Sequence, residues 1–191
     1  MKFIELLKQL QEEYADNHIV RKNGTILLAP GEMPKCKHML FPALEEKLIK
    51  EFLLDEYELE FPKEYLEFLK EFNGANLFHE IIKKSKFSFA YPYLVLFGLP
   101  RTQPFGRPFD MEEPFDIRIE DFDNRHKNVP SFYLKCGCYC VHGDSRSIDI
   151  FIDTKTGKVS SYYRDTDTIV SVWENIDECL CQLFEELSRN N

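Results

Sequence analysis

Between Phe132 and Tyr163 three apolar runs, Phe132 to Val141, Ser147 to Ile152 and Lys158 to Tyr163, follow one another across very short connections. His142-Gly143-Asp144-Ser145 separates the first two, and Asp153 to Gly157 reads as a turn between the second and third. Parallel neighbours need a crossover of roughly a dozen residues or more, so these runs can pair only as an antiparallel meander. Any fold for this chain must therefore be built around an antiparallel sheet.

The flanks of that meander are helical. Phe3, Leu6, Leu7, Leu10 and Tyr14 fall at helical spacing with Lys and Glu opposite, which predicts an amphipathic helix over residues 3 to 14. His18 to Ala29 reads as two short strands about Asn23-Gly24, a strong hairpin signal. Pro30 to Pro42, with Gly31, Pro34 and mixed charges, reads as a connector. Leu44, Leu48, Ile49, Phe52 and Leu53 form the apolar face of a second helix. A third opens at Pro62 and carries Tyr65, Leu66, Leu69 and Phe72 on one stripe, and Asn73-Gly74 is expected to close it in a left-handed turn.

Phe87 to Leu99 is aromatic and β-branched and predicts one or two strands broken near Pro92. Phe105 to Pro114 should be loop, and Phe115, Ile117 and Ile119 alternate with polar residues as in a strand with one buried face. At the C-terminus, Asn175 and Glu178 have capping-box spacing ahead of a stripe of Ile176, Cys179, Leu180, Leu183, Phe184 and Leu187. Helices at both ends and strands between them make an α+β fold, a central antiparallel sheet flanked by N-terminal helices and a C-terminal helix. We divide it into an N-terminal helix-hairpin extension, residues 1–40, and a main domain, residues 41–191.

Size and charge bound the function. A chain of 191 residues with 43% hydrophobic side chains can bury a core, and its longest apolar runs fall short of a membrane span. Glu5 interrupts the apolar N-terminal stretch, which does not read as a signal peptide, so a cytoplasmic location and reduced cysteines are expected. A net charge of −9 argues against DNA or RNA as a direct ligand, because nucleic-acid binding needs Lys and Arg to neutralise phosphates. A basic protein partner suits it better.

Motifs in the helical and C-terminal parts add a family likeness. An aromatic before Pro, a Tyr three residues on, a Phe three further and a closing Asn-Gly, here Phe61, Pro62, Tyr65, Phe68, Asn73 and Gly74, resemble the signature of the SUKH superfamily. Phe151-Ile152-Asp153 with Gly157-Lys158-Val159 is similar to that family's turn between late strands, and Trp173 before LCQLFEEL to its closing segment. The likeness runs over roughly residues 42 to 188. That group includes yeast cell-wall (glucan) synthesis regulators and many bacterial immunity proteins. The resemblance implies a helix-flanked antiparallel sheet and a protein-binding role.

Three features of the sequence bear on chemistry. Cys136, Cys138, Cys140 and His142 have a metal-like look, but i and i+2 positions on an extended strand lie about 6.6 Å apart, too far to converge on one zinc without a bend. Buried thiols on one strand face are expected, with no metal and no cofactor. Cys179 belongs to the helix stripe and Cys181 points off it. A Ser-His-Asp site is conceivable from Ser145, His126 or His142, and Asp144 or Asp149, yet spacing selects no combination and turn chemistry accounts for Gly143 and Asp144. The third feature is charge: Asp110, Glu112, Glu113, Asp116, Glu120, Asp121 and Asp123 face only Arg118 as a base, with Phe109, Phe115 and Phe122 interleaved. Such a stretch steers a cationic partner and offers aromatic anchors.

Resemblance to the bacterial immunity proteins of that superfamily implies a non-enzymatic binding protein of the immunity or antitoxin type, expected to neutralise a toxin, a nuclease, by covering its basic active site. Those seven acids, with Asp165 and Asp167 as a second patch, are the expected partner-binding residues. A regulatory scaffold of the cell-wall synthesis regulator type is the alternative. A small hydrolase using Ser145 or a cysteine is the enzyme alternative.

Overall fold

The Pro62 helix leads straight into the sheet. The computed structural model describes residues 1–30, 36–56, 62–78, 93–99, 118–119, 133–141 and 146–189. Within it, helix α1 (Lys2–Glu13) precedes strands β1 (His18–Val20), β2 (Ile26–Pro30) and β3 (Cys36–Pro42). Helices α2 (Glu46–Glu56) and α3 (Lys63–Glu71) come next, then β4 (Phe72–Leu77), β5 (Tyr93–Leu96) and β6 (Arg118–Ile119). Strands β7 (Tyr133–Cys140), β8 (Ile148–Asp153), β9 (Val159–Tyr163) and β10 (Ile169–Trp173) lead into α4 (Ile176–Arg189). The strands form one ten-stranded sheet in the order β1-β2-β3-β4-β5-β7-β8-β9-β10, with β6 beside β7, and every pairing is antiparallel.

The α+β fold expected from the sequence is thus the fold observed, and the meander β7-β8-β9 has the expected order. The hairpin forms about Gly24, whose φ of +87° is easy only for glycine. Three strands were not expected, β3, β4 and β10. Residues 36–42, read as connector, form β3 between β2 and β4; most of its side chains are buried, so it lacks the alternation that marks a half-exposed strand. Strand β10 is hidden by a bulge between Ile169 and Ser171 that breaks period-two alternation. Strand β3 spans residue 40, so the two segments divided there share a strand.

The end of α3 also differs from expectation. Phe72 is already extended, with φ −141° and ψ 121°, and Asn73 and Gly74 lie inside β4 rather than in a helix cap. Gly74 does take a left-handed φ, +95°, within that strand. Asn73 is buried and clamps Leu99: its Nδ2 donates to the Leu99 carbonyl at 2.7 Å, and its Oδ1 accepts from the Leu99 N–H at 2.7 Å. Gly98 makes the approach possible, since a Cβ there would stand 2.2 Å from the Asn73 carbonyl oxygen. The Tyr65 hydroxyl, fully buried, donates to the carbonyls of Phe97 and Cys136 at 2.6 and 3.0 Å, tying α3 to the sheet.

Helices α1, α3 and α4 pack together over one face. Phe3 meets the rings of Phe68 and Phe184, each at 6.1 Å. The N-terminus of α1 is capped from the far end of the chain, because the Asp177 carboxylate of α4 accepts the N–H groups of Lys2 and Phe3 at 3.0 and 2.9 Å. Asn175 Oδ1 accepts the Glu178 N–H at 2.9 Å, as the capping pattern predicts, and the Glu178 carboxylate reaches back to the Glu174 N–H at 3.0 Å. Leu48, expected on the apolar face of α2, is 48% exposed, while its neighbour Ile49 is buried.

Candidate partner-binding surface

Part of the described polar surface lies in the turn that follows β9. Strand β9 ends at Tyr163, and residues 164–168 turn the chain into β10, with the Asp167 N–H donating to the Tyr163 carbonyl at 3.1 Å and the Tyr163 N–H to Thr168 at 3.0 Å. Asp165 is exposed and Asp167 is half-buried in a left-handed conformation, φ +55°, which Asp tolerates better than most residues. The structure therefore brings the second expected patch, Asp165 and Asp167, into one turn. Asp110, Glu112, Glu113, Asp116, Glu120, Asp121 and Asp123 lie outside the described residues, as do His126, His142, Asp144 and Ser145.

Beside that turn is a charge cluster that sequence reasoning missed. The Asp149 carboxylate, fully buried on β8, accepts a 2.8 Å contact from Lys135 Nζ of β7 and is gripped by Arg164 through Nη2 at 2.6 Å and Nε at 3.2 Å. Asp149 was weighed as a triad acid; here it is the counter-ion that lets Lys135 lie buried. Its hydrogen bonds keep the Arg164 guanidinium firmly charged, and that side chain is half-exposed. The Arg146 guanidinium stacks 3.7 Å above the Tyr163 ring. The alternation Ile148-Asp149-Ile150-Phe151 could have signalled a carboxylate pointing to one sheet face among apolar neighbours.

The strand thiols are buried as expected, but not on one face. A register shift between Lys135 and Gly137 places a bulge at Cys136. Cys136 then sits near Tyr65 and Cys179 under the helices, whereas Cys138 lies beside Asp149, Lys135 and Arg164 on the opposite face. Burial pushes the Cys136 and Cys179 thiols far up. Cys138 is raised to about 11 by burial and then by Asp149. Cys181, expected off the helix stripe, is buried as well and is also raised to about 11, by burial and then by Asp177. A nucleophilic thiol needs the opposite shift, so this is the setting of core cysteines.

A helix-covered antiparallel sheet, with the Asp149, Lys135 and Arg164 cluster beside the turn after β9, defines an α+β protein. The family model of the SMI1 / KNR4 family (SUKH-1) matches residues 44–182, from the approach to α2 into α4, and the chain belongs to that family. Membership supports a family-level role, immunity-type or regulator-like, exerted through protein–protein contact. No curated protein and no solved structure matches the chain. Among the described residues no helix is long and apolar enough to cross a membrane.

Proposed function

We propose that the protein is an immunity-type antitoxin that works in the cytoplasm, binds a basic toxin, a nuclease, and blocks it by covering its active-site cleft. The observation that carries the reading is charge density in a member of this family: seven acids against one base between residues 110 and 123, within a chain of net charge −9. Asp165 and Asp167, grouped in one turn, support a second contact of the same sign. A nuclease cleft must be basic to hold phosphates, so an acidic protein competes for the surface that binds nucleic acid. The mechanism is steric and electrostatic and asks no catalysis of this chain.

The test is inhibition. A nuclease-type toxin domain encoded beside this gene is assayed for DNA or RNA cleavage while the purified protein is added. Cleavage should fall to a plateau at one inhibitor per enzyme; cleavage that persists at large excess over every such neighbouring domain would reject the antitoxin role. The regulatory scaffold, which the family match supports equally, would then be the surviving reading.

A further inference from the structure

We infer that the outer edge of β10 is a docking edge, to which an extended, lysine- or arginine-bearing segment of the protein partner adds as a further strand. This rests on the protein-binding role proposed above and specifies where and how part of that contact is made. Among the described strands β10 has a neighbour on one side only, β9, so its other side presents main-chain N–H and C=O groups along an open edge. Strand addition uses such groups for affinity and alternate side chains for specificity.

Side chains on this edge are placed for contact. Val172 lies opposite Ser160, which faces Phe151; Ile169 lies opposite Tyr162, which faces Asp149. Both therefore stand on the sheet face away from the helices. The bulge between Ile169 and Ser171 is what lets positions three apart share that face. Ile169 is 54% and Val172 59% exposed, among the most exposed large apolar side chains described. The strand beneath them is held firmly: Trp173 is buried and its Nε1 donates to Gln182 Oε1 of α4 at 2.8 Å, and Val170 packs on the core. An exposed apolar pair on an anchored edge is a preformed contact surface rather than a frayed end.

Charge selects the occupant. Residues 165 to 174 contain Asp165, Asp167 and Glu174 and no base; of the neighbouring cations, Lys158 just before β9 reaches Glu174 at 3.1 Å and Arg164 is bound to the buried Asp149. A second copy pairing edge to edge would bring the Asp165, Asp167 and Glu174 carboxylates of both copies to one seam, a like-charge excess that disfavours it. A segment that alternates apolar residues with Lys or Arg places its apolar side chains on Ile169 and Val172 and its cations near the acids.

The experiment uses the full-length protein and capped synthetic peptides of about nine residues, close to the upper strand length. One alternates Lys and Val, one alternates Glu and Val, and a third is the Lys/Val peptide with alternate amides N-methylated so that it cannot pair. The Lys/Val peptide should shift and protect the amides of residues 169–173, and the other two should bind at least about tenfold more weakly, the scale expected from one lost apolar or charged contact. Val172→Thr, exposed and still β-branched, should weaken Lys/Val binding about tenfold with an unchanged circular dichroism spectrum, and Val20→Thr at the opposite sheet edge should not. Equal binding of the N-methylated or Glu/Val peptide, protection confined to β1, no binding, or sedimentation as a dimer that Val172→Thr dissociates would each overturn the proposal. Toxin inhibition that survives such a result leaves the antitoxin reading standing, so the two can fail separately.

Discussion

His38 shows how much a single buried side chain decides in this fold. It sits on β3 with 1% exposure, edge-on to Phe78 at 5.0 Å and beside Tyr14 at 5.8 Å, and its Nδ1 accepts the Phe78 N–H at 3.3 Å. Phe78 is itself held at φ +60°, a conformation that costs energy outside glycine. Burial, and then Lys37, lower the His38 pKa from 6.5 to about 3. The unfolded chain thus takes up the proton first, so stability from neutral His38 is complete above pH 6.5 and is lost as pH falls from there toward 3. Chemical denaturation at a series of pH values should show this loss at about 1.4 kcal/mol per pH unit. His38→Gln, which keeps an acceptor for Phe78, should remove that component of the slope; an unchanged slope would show that His38 does not set it. Asp149 makes the complementary point, since one buried carboxylate holds two cations, Lys135 from β7 and Arg164 from the turn after β9.

At the scale of elements, what could be read from the sequence depended on how regularly each element is exposed. The apolar stripes of α1, α3 and α4 repeat cleanly, and β7, β8 and β9 are marked by strand-like runs joined through very short connections; apart from the end of α3, those elements form where expected. Strand β3 is buried on both faces, and Pro30, Gly31 and Pro34 just before it read as connector; β10 loses its period at a bulge. Asn73-Gly74 resembles a helix stop because the same two residue types also serve a clamp to Leu99 and a left-handed kink within a strand. The Asp149 cluster was illegible because its members, 135, 149 and 164, meet only when β7, β8 and β9 pair. The bond of Asp177 to the start of α1 leads to a prediction at this scale. Deleting residues 1–30 removes α1, β1 and β2, uncovers Phe68 and Phe184 and opens the edge of β3. The truncated chain should lose its cooperative unfolding transition; a transition as sharp and as late as that of the whole chain would show that the first three elements contribute nothing to the fold.

For the whole molecule, family and charge carry the functional account. The match over residues 44–182 supports contact with other proteins, and the net charge of −9 is the ground on which a basic partner is proposed. The residues that motif reading singled out, Tyr65, Asn73 and Trp173, hold the architecture together through buried hydrogen bonds. Family likeness therefore reports the scaffold, whereas under the proposed function partner choice would fall to surface carboxylates that no motif encodes. The direct measurement of the central claim is the association rate with the toxin across a salt series, for the native protein and for Glu112→Lys/Glu113→Lys/Asp116→Lys. Electrostatic steering predicts that the native rate drops steeply as salt rises, and that the variant starts at least about tenfold slower and responds little to salt. Equal rates for the two proteins at low salt would contradict it.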